Sequence, residues 1–178
     1  PDQLPTFELV GNVSAVDRVL LEQLIINPGP ARTASLVQAA LDSATLAVGG
    51  GTNAERVFCG LLNCLPTSCR RSFSFSTGLK NSPRRPFRLI PLPTEPAQQR
   101  RVVRQSDVTL LDLDGTIPEQ FAPRGPFAQL VLAALNGGYV SAFADLLESA
   151  PADLTLDDLN QFASSQQLDL SPHFSPLF

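Results

Sequence analysis

Residues Thr45 to Pro66 read TLAVGGGTNAERVFCGLLNCLP, and the way this run divides sets the fold class. Thr45 to Val48 is a short apolar stretch with the make-up of a buried strand. Gly49, Gly50 and Gly51 break it, Thr52 or Asn53 supplies a helix cap, and an apolar helical run follows until Pro66 ends it. A strand that passes through a glycine loop into a helix is the repeating unit of α/β proteins, so an α/β fold is expected.

Working outward, the same reading supplies the neighbours of this unit. Downstream, Arg71 to Ser76 alternates as RSFSFS, which places Phe73 and Phe75 on one face and the serines on the other, as a half-buried strand requires. Thr77 to Pro86 carries the breakers Gly78, Asn81 and Pro83, and Phe87 to Leu92 returns as a strand, so the pair forms a wide hairpin. A short helix, Ala97 to Gln105, leads to the strongly apolar strand Asp107 to Leu113. The expected core is a central mixed sheet of about four strands with helices packed on it.

Upstream, Ser14 is placed to cap an amphipathic helix that runs to Ile26, and a second helix covers Ala31 to Ser43. After Pro123 the chain turns helical: Phe127 to Leu135, Tyr139 to Ser149, and a helix opened by Thr155 with Asp157 and Asp158 in its first turn, where acids offset the helix dipole. The organisation expected is an α/β domain over 1–122 and a helical C-terminal section over 123–178 packed on it.

At 178 residues and 43% hydrophobic, the chain can bury a substantial core. It begins at Pro1, has no methionine and carries no basic-then-apolar leader, the expectation for a piece of a longer or processed polypeptide. Its longest apolar stretch, Phe127 to Leu147, is interrupted by Gln129, Asn136, Gly137, Gly138 and Asp145 and makes a poor membrane span. Cys59, Cys64 and Cys69 lack the paired close spacing of a zinc site, and one histidine, His173, is available to assist them. Cys59 and Cys64 are expected to be buried as small hydrophobes, and an odd, sparse cysteine count suits a soluble protein of the reducing cytoplasm.

The net charge of −4 hides an asymmetry. Between Arg70 and Arg104 nine basic residues face the single acid Glu95, a net +8, while the rest of the chain has 4 basic and 16 acidic residues, a net −12. Such a division points to a basic surface that meets an acidic surface, of a protein partner or of the chain itself. Nucleic acid is disfavoured, because the pairing of arginine with phosphate and phenylalanine with bases conflicts with phenylalanines turned to one buried face.

Three stretches carry candidate chemistry. The GGGTN loop, Gly49 to Asn53, enters a helix and offers backbone amides to an anion, although it has neither a P-loop nor the spaced glycines of a dinucleotide fingerprint. Arg84, Arg85 and Arg88 are further anion-binding candidates. Leu110 to Glu119, LLDLDGTIPE, resembles the first motif of haloacid dehalogenase-like phosphohydrolases. That resemblance implies Asp112 as the nucleophile toward phosphorus, Asp114 as acid and base, and Mg²⁺ as cofactor, with Gly115 and Thr116 completing the turn. A carboxylate attacks a phosphoryl group when a cation suppresses the repulsion between them. The family also needs a Ser or Thr, a Lys or Arg and further acids on later strands. Here 62 residues follow Thr116, they read as helical, and the one lysine, Lys80, precedes the motif. The alternative is a strand that ends in a turn where Asp and Gly are favoured, with no cofactor.

The run from Leu61 to Leu92, LLNCLPTSCRRSFSFSTGLKNSPRRPFRLIPL, is similar to a segment of bacterial GTPase-associated proteins and related planctomycete-type proteins, through LLNCLP, SFSTGL and SPRRPFR. The resemblance implies an adaptor or regulatory module beside small GTPases, with no catalytic residues to carry over. The expected function is therefore a non-catalytic interaction module, with a Mg²⁺-dependent phosphohydrolase and an anion- or nucleotide-binding module as the alternatives.

Overall fold

A computed structural model describes residues 14–50, 53–77, 87–93, 95–104 and 108–170. Among these residues it holds eight helices and three strands. Helices α1 (Arg18–Ile26) and α2 (Pro30–Asp42) precede strand β1 (Thr45–Gly49), helix α3 (Ala54–Asn63) and the single turn α4 (Thr67–Arg70). Strand β2 (Leu89–Pro91), helix α5 (Pro96–Val103) and strand β3 (Val108–Asp112) complete the sheet. A 3₁₀ turn (Glu119–Phe121) then leads to α6 (Pro126–Asn136), α7 (Val140–Glu148) and α8 (Leu159–Leu170).

The α/β class stands, but the sheet corrects the expectation of four mixed strands. It has three strands in the order β2-β1-β3, all parallel. The RSFSFS run makes one parallel bridge, Phe75 to Leu89, in place of a hairpin strand. Its burial does not alternate: Phe73 and Ser76 are buried while Phe75 is 43% exposed, so the segment lies along the outer edge of β2 and turns only part of itself inward. Parallel pairing of β1 with β2 needs the α3–α4 crossover that the glycine loop begins.

From β1 the chain crosses to β2 on one side and then, through α5, to β3 on the other. Right-handed crossovers in opposite directions put their helices on opposite sheet faces, and the side chains agree. Leu46, Val48, Leu89 and Leu111 share one core with Phe58 and Leu61 of α3, while Ala47 and Ile90 join Val102 of α5 on the reverse face. The register Ala47 to Ile90 and Ala47 to Leu110 keeps those residues in line across the sheet.

The larger core also takes in the C-terminal helices. Phe127, Val131, Leu135, Phe143, Leu147, Leu159 and Ala163 belong to the same continuous cluster as Leu21, Leu36 and Leu46. Helix α6 begins with Gly125 and Pro126, which offer no side-chain cap. Other helices supply the missing acceptors: Oε1 of buried Gln38 in α2 accepts from Gly125 N at 2.8 Å, and Oδ1 of Asn160 in α8 accepts from Phe127 N at 3.2 Å. This is how otherwise orphaned amides at a helix start are satisfied.

Two helix starts differ from their sequence reading. Asp17, not Ser14, caps α1 by accepting from Leu20 N at 3.1 Å. Thr155 does not open α8; its hydroxyl bonds Asp158 in a turn, and the helix starts at Leu159. Cys64 and Cys69 are buried, whereas Cys59 is exposed, against expectation, because it sits on the outward face of α3. Burial pushes the Cys64 thiol up to about 12, only partly opposed by Arg70. A thiol reagent at neutral pH is expected to modify Cys59 rapidly in the native chain and to reach Cys64 and Cys69 only after denaturation. Native labelling of all three at one rate would contradict this packing.

No helix among the described residues is long and apolar enough to cross a membrane.

Candidate functional site

The two sequence motifs that carry chemistry meet in space. Because β1 and β3 are parallel neighbours, Gly49 at the end of β1 stands beside Asp112 at the end of β3. Leu113 N donates to Gly49 O at 2.8 Å and carries the pairing one residue further. Gly50 then turns away at φ +75°, a conformation that L side chains rarely adopt. A Cβ on Gly50 would lie 2.5 Å from Asp114 N and 2.7 Å from Asp112 Oδ1. The glycine loop and the DLDG turn are thus packed against one another at the carboxyl ends of β1 and β3. Open α/β sheets bind their ligands outside the carboxyl ends of the strands, although the point where the crossovers part to opposite faces lies between β1 and β2.

Asp112 Oδ1 accepts from Asp114 N at 3.1 Å, so the first carboxylate folds back on its own turn. Both aspartates are exposed. Beyond the loop, Asn53 caps α3, its Oδ1 accepting from Glu55 N at 2.9 Å and from Arg56 N at 3.3 Å. A small cleft beside Asp114 is lined by Asn27, Pro28, Asn53, Arg56 and Leu113. Arg56 reaches across it to Gln23 Oε1 at 2.8 Å. Nothing in the sequence singles out Arg56 or Asn27, which come to the cleft through the packing of α1 on α3.

The other candidates fall elsewhere. Gly51, Arg84, Arg85 and His173 lie outside the described residues. Arg88 is away from the glycine loop, tied into the fold: its guanidinium stacks on Phe73 at 4.4 Å and donates to Ala40 O at 3.1 Å. Burial lowers its pKa and Asp157 opposes that shift. Arg70 is similarly engaged, with Nε on Leu65 O at 2.9 Å and Nη1 on Ala15 O at 2.5 Å. Part of the basic segment is therefore consumed inside the molecule, with Glu148 near Arg70 and Asp157 near Arg88, and two ion pairs engage arginines outside that segment. Arg18 pairs with Asp145 at 2.6 Å, and Arg124 pairs with Asp42 at 3.2 Å.

One polar assembly has no local sequence signal at all. The segment leading into α1 is held by Arg70, by Asn63 and by Glu148. Asn63, 5% exposed, accepts from Asp17 N at 2.9 Å and donates to Asp17 O at 2.7 Å. Glu148 accepts from the Ser14 hydroxyl and from Val16 N, and the Ser14 bond leads in holding its carboxyl below the usual range. Its partners are separated along the chain, so only the tertiary fold shows them.

Among the described residues no three His, Cys, Asp or Glu side chains gather in a way that would hold a metal ion. No family model, curated protein or solved structure matches this chain.

Proposed function

We propose that the chain is a non-catalytic interaction or regulatory module, of the adaptor kind that its similarity to bacterial GTPase-associated proteins implies. The observation that carries this reading is the condition of Asp112. The carboxylate that a phosphohydrolase would aim at phosphorus instead accepts the Asp114 amide and stabilises a strand-end turn. The test is hydrolysis of p-nitrophenyl phosphate with Mg²⁺ by the parent chain and by Asp112→Asn. The expected outcome is no turnover that depends on Asp112; hydrolysis abolished in the variant would overturn the module reading.

A second reading is favoured by the meeting of the glycine loop with Asp112 and Asp114. Bare phosphate at the loop would face two carboxylates, each repelling it by about 4 kcal/mol at 4 Å in a medium of intermediate polarity. Mg²⁺ relieves that repulsion, and it commonly takes one or two protein carboxylates and completes its shell from phosphate and water. Asp112 and Asp114 fit that partial donor set, and Arg56 lines the cleft beside Asp114, but among the described residues no third His, Cys, Asp or Glu is grouped with them to hold a metal ion. The function this second reading assigns to the site is thus Mg²⁺-dependent nucleotide binding. Under this reading ATP with Mg²⁺ raises the melting temperature and ATP with a chelator does not. Equal effects in both conditions would reject it.

A further inference from the structure

The chain between α7 and α8 forms one wall of an open groove, and α8 forms the other. Leu154 N donates to Pro151 O at 3.1 Å. This wall is tied to α4, where Ser68 Oγ donates to Pro151 O at 3.3 Å and Cys69 Sγ to Leu154 O at 3.4 Å. Leu159 and Ala163 anchor α8 in the core, which leaves Asp158, Phe162 and Ser165 along one stripe that lines the groove. The stripe runs about 10 Å along the helix, a length that suits an extended chain better than a single ion. The groove encloses about 350 Å³, within the range of pockets that take a ligand or a few side chains.

Its lining is apolar and acidic together. Leu154 and Phe162 are half-buried, whereas Asp153 and Asp158 are exposed. Thr155 donates to Asp158 at 2.6 Å and fixes that carboxylate. Among the described residues no ion pair engages Asp153 or Asp158, since Arg18 is paired with Asp145 and Arg124 with Asp42, and Arg88 lies near Asp157. Residues 123–178 hold one base, Arg124, against six acids, a net −5 with histidine neutral.

We propose that this groove binds an extended basic segment of a protein partner, in which an apolar side chain lies between arginines or lysines. The proposal rests on the interaction-module reading and names the surface such a module would use. Leu154 and Phe162 supply apolar contact, while Asp153 and Asp158 select a positive flank and speed encounter. Because α4 already holds the wall in place, binding has little of it left to order.

The experiment uses the full chain and a short fluorescent peptide in which arginines flank leucine, with a control peptide that has serine for leucine. Anisotropy should show saturable binding of the first and weaker binding of the second. Asp153→Asn with Asp158→Asn should weaken the first by about threefold or more. Glu22→Gln with Glu55→Gln removes the same charge outside the groove and should leave binding unchanged. Gln161→Trp, at an exposed position of the lining, should block the groove and abolish binding without altering charge; circular dichroism checks that each variant is folded. No saturable binding, equal binding of both peptides, equal loss in the two neutralised pairs, or insensitivity to Gln161→Trp would overturn the proposal. So would tighter binding after Arg84→Ser with Arg85→Ser, which would assign the groove to the chain's own basic run, or a dimer in sedimentation that Asp153→Asn with Asp158→Asn dissociates. Asp112-dependent hydrolysis would overturn the module reading instead, so the two failures are distinguishable.

Discussion

Phe127→Ala is expected to lower the stability of the whole molecule by about 3–5 kcal/mol, and to do so in one transition. Phe127 is 0% exposed at the start of α6. Its backbone amide is held by Asn160 of α8, and the preceding Gly125 amide by Gln38 of α2. Removing the ring leaves a cavity where α2, α6 and α8 converge, and relaxation there is opposed by those same caps. Because the hydrophobic cluster runs without a break from Val16 to Ala163, the sheet and the C-terminal helices should lose structure together. The measurement is urea unfolding followed both by far-ultraviolet circular dichroism and by reaction of buried Cys64, a probe placed near the sheet and remote in sequence from the substitution. Coincident curves at a lower midpoint are expected. A C-terminal section that melts first, with Cys64 still protected, would show two units instead of one.

That continuity explains which parts of the fold were legible in the sequence. The strand, loop and helix of Thr45 to Pro66 was readable because each signal is local: an apolar strand, glycines, and Asn53 capping its own second and third residues. RSFSFS misled because its alternation is also local, whereas its burial depends on lying at an edge. There Phe73 turns under Arg88 and Phe75 touches Phe58 from the outside, with rings 6.1 Å apart. Ser14 and Asp17 are both capping residues by type, and the choice between them depends on Glu148, which draws Ser14 to α7. Likewise Thr155 and Asp158 look like the opening of a helix but satisfy one another in a turn before it.

The candidate site was legible as two motifs and illegible as one place. Asp112 and the glycine loop were each identifiable from residue type, but their contact requires β3 to pair with β1 instead of β2. Strand order depends on the direction of each crossover, which spacing along the chain does not encode. The contact changes what each motif can do. Two carboxylates against the loop oppose a bare anion, and the loop in turn confines the aspartate turn, a coupling that neither motif suggests alone.

Gly50→Ala measures that confinement. Two penalties act at Gly50: the positive φ, which for a non-glycine residue costs about 1–2 kcal/mol, and the collision of a new Cβ with the Asp114 amide and the Asp112 carboxylate. The second involves backbone as well as side chain, so rotation of Asp112 cannot relieve it, and overpacking of this kind costs about 1–3 kcal/mol more. Gly29 provides a comparison without the collision. It too has positive φ, +97°, but with ψ 158° it lies in an extended region that is essentially restricted to glycine, and an added Cβ meets nothing within 4 Å. Gly29→Ala should therefore lose about 1–3 kcal/mol from backbone strain alone, and Gly50→Ala about 2–5 kcal/mol, both read from urea midpoints at constant slope. Combining Gly50→Ala with Asp112→Ala should recover only the part due to the carboxylate, since Asp114 N remains 2.5 Å from the added carbon. A loss at Gly50→Ala no larger than the backbone penalty of about 1–2 kcal/mol would mean that the loop is not pressed on the aspartate turn. The contact from which Mg²⁺-assisted phosphate binding was argued would then be absent, leaving DLDGT a strand end and nothing more.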